Sequence, residues 1–181
     1  MSKTSAAAAK ALTSSHFELL GLAPAFALDP GSLDAAYRAV QARVHPDRFA
    51  HAGDAERRAS MQAAAQVNEA YRVLKSPVQR AAYLLGLNGV DAAFETDTAM
   101  PEDFLVQQLE MRERLEEART PAELDAAKAM LSSQRNEIER QLARQIDVLK
   151  NLQEARNLVR KLMFFDRLEG EVDAAYERLE A

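Results

Sequence analysis

The sequence predicts an all-α protein: an N-terminal antiparallel helical hairpin with a His-Pro-Asp loop, then a C-terminal three-helix bundle. Three observations predict it. Helix formers, chiefly Ala, Leu, Glu, Arg and Gln, dominate the 181 residues, while Gly and Pro number six each and Trp and Cys are absent. Ser/Thr-x-x-Glu/Gln boxes stand at the heads of three stretches. Within those stretches apolar residues recur at spacings of three and four. An all-β sandwich needs more β-branched residues and more turn punctuation. The balance of 48% apolar and 28% charged residues is that of a folded chain rather than a disordered one.

Residues 1–14 read as a tail. The opening MSKTSAAAAKALTSS lacks the apolar core of a secretory signal, and it lacks the arginines of a transit peptide. Ser15-His16-Phe17-Glu18 opens the first helix as a capping box, each side chain satisfying a backbone N–H at the other end. A second helix follows Asp29-Pro30-Gly31-Ser32 and runs to about Val44, with Leu33, Tyr37, Val40 and Val44 on one face. Pro46 stops it by pushing His45 out of the helical region. The third helix runs from about Asp54 to Lys75, its face formed by Met61, Ala64, Val67 or Asn68, Tyr71 and Leu74. Two helices joined by so short a loop lie antiparallel.

Ser76-Pro77-Val78-Gln79 opens the fourth helix, with Pro at the first position, where its missing N–H costs nothing. Gly86-Leu87-Asn88-Gly89 ends it. Residues 88–100 lack sustained periodicity and read as a linker between a domain at 15–87 and another at 101–181. Helices are expected at about 101–119, 121–145 and 148–180. Thr120-Pro121-Ala122-Glu123 caps the middle one, whose stripe is Leu124, Ala127, Leu131, Ile138, Leu142 and Leu149. Leu162, Phe165, Val172, Tyr176 and Leu179 form the stripe of the last. Three antiparallel helices of this length bury a shared core.

Much chemistry is excluded. There is no Gly-rich phosphate loop, no dinucleotide fingerprint and no Gly-x-Ser-x-Gly elbow. Without cysteine there is no disulfide, zinc ribbon or thiol chemistry. The histidines are His16, His45 and His51. A metal site from His45, Asp47 and His51 lacks a fourth ligand and matches no structural-zinc spacing. No nucleophile accompanies them, so no catalytic residue, metal or cofactor is expected. Residues 1–90 carry a net charge of +3 and residues 91–181 one of -8, so the halves meet different partners. The first is too weakly basic for nucleic acid, and no apolar run is long enough to cross a membrane.

The remaining feature is the loop. His45-Pro46-Asp47 lies between two amphipathic helices, preceded by Arg38 and Arg43 and followed by Arg48-Phe49. Read alone, it is a helix stop and a turn. In this setting the sequence resembles the J-domain, the module that activates DnaK-type heat-shock chaperones. The resemblance runs from His16-Phe17-Glu18-Leu19-Leu20-Gly21-Leu22 through Tyr37-Arg38 and Val44-His45-Pro46-Asp47-Arg48-Phe49. It continues through Asn68-Glu69-Ala70-Tyr71-Arg72-Val73-Leu74 to Pro77-Val78-Gln79-Arg80-Ala81-Ala82-Tyr83. The Gly/Phe-rich and Cys-rich segments of generic J-proteins are missing. Leu109-Glu110-Met111-Arg112-Glu113 and the stretch from Arg160 to Leu168 instead resemble the HscB-type co-chaperones of iron–sulfur cluster assembly.

That resemblance implies that His45, Pro46 and Asp47 contact a DnaK-type, HscA-like chaperone and couple to its ATP hydrolysis. Arg38, Arg43 and Arg48 place positive charge beside the loop, suited to steering an acidic partner. Gln41 and Ala42 dilute that charge, which favours a dedicated chaperone over a housekeeping one. On a wheel of residues 102–119, Phe104, Met111, Leu115 and Ala118 share a narrow arc that suits the bundle core. Leu105, Val106 and Leu109 lie roughly opposite, among Glu102, Glu110, Glu113, Glu116 and Glu117. They read as a protein-binding patch with a charged rim, or as a face hidden against the first half. The resemblance implies that an IscU-like iron–sulfur scaffold docks on this helix and the last one, at Leu105, Val106, Leu109, Glu110, Glu113 and Met163. Lacking the cysteines of eukaryotic relatives, the chain is expected to be bacterial and cytoplasmic. The other readings are a general J-protein delivering unfolded polypeptides, a metal-dependent enzyme, and a purely structural adaptor.

Overall fold

A computed structural model describes residues 15–49, 52–92 and 100–180. The expected tail, His51 and most of the expected linker lie outside the described residues. The chain divides between Leu84 and Leu85 into two compact units. All regular structure among the described residues is helical.

The first unit holds α1 (His16–Leu20), α2 (Pro30–Val44), a 3-10 turn (Pro46–Phe49), α3 (Asp54–Lys75) and most of α4 (Pro77–Leu87). The expected boxes locate the starts. Ser15 Oγ accepts from the Glu18 amide and the Glu18 carboxylate accepts from the Ser15 amide at 2.8 Å. Gly21 ends α1 at φ +70°, a left-handed conformation that favours glycine. Asp29 caps α2 through the Ser32 amide at 2.7 Å. At Ser76 half of the box forms: its Oγ accepts from the Gln79 amide, while the Gln79 side chain accepts from Arg72 instead. Phe17, Leu20, Phe26, Leu33, Val40, Val67, Leu74 and Ala81 fill this core.

One expected core position is not in the core. Met61 is 61% exposed, whereas its neighbour Ser60 is buried. The reason lies at the seam with α2. Ser60 turns inward, its Oγ donating to the Val44 carbonyl of α2 at 2.8 Å, and the small residues Ala63, Ala64 and Ala70 are buried further along α3. With Ser60 held inward, Met61 falls about 100° further around the helix, on the solvent side. Arg80 is a second surprise: it is buried, donates to the Leu74 carbonyl at 2.7 Å and lies 5.0 Å from the Phe26 ring centre. It satisfies a carbonyl that the end of α3 leaves open.

The second unit holds α5 (Glu102–Glu117), α6 (Pro121–Ala143), a π-helical turn (Arg144–Leu149) and α7 (Leu152–Glu180). The Thr120 box forms in full. Leu124, Leu131, Leu142, Leu162, Phe165 and Leu168 are fully buried, each contributing about 1.5–3 kcal/mol relative to exposure. The stripe of α6 does not reach Leu149, which is exposed. It ends on buried Ile146, because the chain widens into the π turn and stops at Lys150, whose φ is +55°. The expected last helix therefore starts four residues late. Within it Tyr176 and Leu179 are only half-buried. Gln108 is buried in the core arc of α5, its Oε1 without a hydrogen-bond partner among the described residues.

Arg135 of α6 joins three carboxylates: Glu139 at 3.0 Å, Asp166 at 3.1 Å and Glu169. Burial pushes the Asp166 carboxyl above its ordinary range; Arg135 opposes this, and Glu169 and Glu139 add to it. The cluster carries more acid than base, so its one cation is worth more than an isolated surface pair. Arg135→Met is expected to destabilise the unit by about 2 kcal/mol, read from urea denaturation at neutral pH. An acid whose folded pKa is raised has lost stability once pH exceeds that value, so Asp166→Asn is expected to be neutral or stabilising there. A larger loss from Asp166→Asn than from Arg135→Met would overturn this reading.

Candidate functional site

The first surface is built on the end of α2. Pro46 fixes its own φ and forces His45 to an extended ψ of 129°, so the helix stops at Val44. The turn that follows is held by its own atoms. The His45 carbonyl accepts from the Arg48 amide at 3.1 Å, and His45 Nδ1 accepts from the Asp47 amide at 3.3 Å. Because Nδ1 is an acceptor here, Nε2 is the ring's donor. The Asp47 carboxylate lies 3.5 Å from Nδ1 and its side chain is 89% exposed. With Nδ1 accepting, that approach is no hydrogen bond, and the carboxylate remains open to an outside donor.

The three arginines are all exposed but do not form one cluster. Arg48 folds back, Nη1 donating to the Ala42 carbonyl at 3.2 Å, which closes the open end of α2. Arg38 and Arg43 are five residues apart, about 140° around the helix. Neither has an ion-pair partner among the described residues. His16 lies away from this loop. It stacks on Tyr83 at 4.2 Å, its amide donates to the Tyr83 hydroxyl, and burial holds its imidazole below its ordinary value.

The second surface lies on α5, where the two apolar arcs separate as the wheel predicts. Phe104, Met111, Leu115 and Ala118 are buried. Leu105, Val106 and Leu109 are 46%, 50% and 58% exposed, and Glu110 and Glu113 beside them are exposed too. Met163 on α7 is half-buried. The link from α5 to α7 runs through its neighbour Phe164, which meets Phe104 edge-on at 5.8 Å and carries the Arg112 guanidinium at 4.8 Å from its centre. Arg112 also grips Glu171 with two nitrogens at 3.0–3.2 Å. Arg112 follows Leu105 and Leu109 around α5, so this contact carries the patch toward α7. Sequence reasoning missed Phe164. The available signal was that Phe165 takes the core stripe, which leaves an aromatic one position off it.

Among the described residues, no group of three or more His, Asp or Glu is placed to hold a metal ion. No helix among them is long and apolar enough to cross a membrane.

Known proteins match both halves. Residues 15–83 match the DnaJ domain, and residues 100–173 match the HSCB C-terminal oligomerisation domain. The co-chaperone protein HscB homolog of Burkholderia multivorans is 51% identical over 171 residues, covering 93% of this chain and 98% of that one. The Burkholderia thailandensis homolog is 50% identical over the same coverage. Among solved structures, HscB from Vibrio cholerae superposes with a TM-score of 0.81 at 36% identity, over 92% of this chain and 99% of that one. The human co-chaperone protein HscB does so at 0.84 and 27% identity, over 90% and 82%. The N-terminal helices are therefore a J-domain, and the chain belongs to the HscB family of co-chaperones.

Proposed function

We propose that the J-domain docks on the ATP-bound form of an HscA-like, DnaK-type chaperone through His45, Pro46 and Asp47 and stimulates its ATP hydrolysis. Arg38 and Arg43 steer the encounter, and Arg48 chiefly braces the loop. The second unit holds an IscU-like iron–sulfur scaffold through Leu105, Val106, Leu109, Glu110 and Glu113 on α5 and Met163 on α7, with Phe164 added. The chain supplies docking surfaces in the cytoplasm and the chaperone supplies the chemistry. The working division is a J-domain at 15–87, a linker at 88–100 and the bundle at 101–181.

The observation that carries this reading is the exposed, self-braced His-Pro-Asp turn. Its conformation is fixed before binding, which lowers the entropy cost of docking. Carrying both surfaces on one chain raises the effective concentration of scaffold at the chaperone without any new contact. The test is steady-state ATP hydrolysis by the DnaK-type chaperone of the same genome, titrated with this protein. A saturable rise in rate supports the reading; a flat titration overturns it.

A further inference from the structure

Among the described residues of the first unit, Met61 is the one large apolar side chain that is mostly exposed. Its place is fixed by three hydrogen bonds between the hairpin helices. Ser60 bonds to Val44, Asn68 to Tyr37 and Tyr71 to Asp34. This antiparallel register sets Met61 level with Arg43 and Val44, within a turn of His45. Arg57 and Arg58, four and three positions earlier on α3, share its side of the helix. Both are exposed; Arg57 pairs with Asp54, and Arg58 has no ion-pair partner among the described residues. Arg43 is level with Met61 along the hairpin but on the other flank of α2 from Asp34 and Tyr37, and Arg48 folds back onto the Ala42 carbonyl.

We propose that Met61 is an apolar anchor of the J-domain's docking surface, seated in an apolar depression on the DnaK-type chaperone that is bordered by carboxylates. The inference rests on the chaperone-docking reading above and adds to it a residue outside the loop. A single exposed methionine needs no explanation by itself. This one lies within a turn of the loop argued to dock, with the exposed Arg57 and Arg58 on its own side of α3, and an apolar side chain flanked by cations is the arrangement of an anchor with a charged rim. An unbranched thioether also adapts to an irregular apolar pocket better than a branched chain does. The occupant is fixed by continuity: Met61 lies within a turn of His45 on the flank where Tyr37–Asn68 and Asp34–Tyr71 bridge the hairpin, so a partner that covers His45-Pro46-Asp47 from that flank also covers Met61.

The test uses the full-length protein with Met61→Gln, which keeps length and helix propensity but removes the apolar end, and with Met61→Leu, which restores an apolar one. Both are read in the ATPase titration. For Met61→Gln the half-saturating concentration is expected to rise about tenfold, equivalent to about 1.4 kcal/mol, with the maximal rate retained. Met61→Leu is expected to stay within about twofold of wild type, a difference well under 1 kcal/mol. An unchanged half-saturating concentration for Met61→Gln overturns the inference and leaves the docking reading standing. Equal weakening by both variants also overturns it, because apolar character is then not what binds. Failure of the unsubstituted protein to stimulate hydrolysis overturns the docking reading itself.

Discussion

His45→Gln is expected to reduce stimulation of the chaperone's ATPase at least tenfold, while the helical circular dichroism and the affinity for the scaffold stay unchanged. The magnitude follows from what the ring holds. His45 Nδ1 accepts the Asp47 amide, and Nε2 is left as the donor toward a partner. Glutamine removes the fixed imidazole and releases the Asp47 amide, so the Asp47 carboxylate loses its set direction. A tenfold loss requires about 1.4 kcal/mol, within the range of one charge-assisted contact. The fold is spared because the His45 side chain is 44% exposed and belongs to no core cluster. Near-wild-type stimulation by this variant would remove the loop from the account.

Leu105→Ala combined with Leu109→Ala is expected to weaken scaffold binding about thirtyfold, or about 2 kcal/mol, and to leave basal ATPase stimulation intact. Each leucine is about half exposed, so each has about 1 kcal/mol of apolar burial left to give on docking. Neither contributes to the interior that Phe104, Met111 and Leu115 form, so thermal stability should change little. Isothermal titration with the purified scaffold checks the first part and the chaperone ATPase the second. An unchanged affinity would place the scaffold elsewhere on the bundle. Loss of both affinity and thermal stability would mean that the patch is structural.

Most of this architecture was legible because its signals are local. The expected span of α3, Asp54 to Lys75 ahead of Ser76-Pro77, is the observed one, and Thr120-Pro121 starts α6 through a complete box. The two arcs of α5 were legible because a helix one residue deep in a core cannot bury both sides. The loop was legible as a turn from Pro46 alone, and as a docking motif only through the family resemblance.

Most of what was missed depends on long-range packing. Met61 and Ser60 exchange places because of the seam between two helices, which periodicity on one of them does not report. Arg80 and Gln108 are polar residues inside, where composition places them outside. The π turn at Arg144–Leu149 shifts the start of α7 to Leu152, where Asn151 caps it by accepting from the Glu154 amide at 3.2 Å, a local signal that the expected helix boundary at 148 passes over. Phe164 becomes a candidate only once Arg112, Glu171 and Phe104 are seen around it.

A chain that presents a chaperone-activating loop and a scaffold-holding patch together should show both in one assay: steady-state ATP hydrolysis by the DnaK-type chaperone, measured with this protein and with and without the iron–sulfur scaffold. Stimulation by the protein alone is expected, with a further, more than additive rise when the scaffold is present. Stimulation that the scaffold leaves unchanged would contradict the two-surface account and return the bundle to the delivery of unfolded polypeptides.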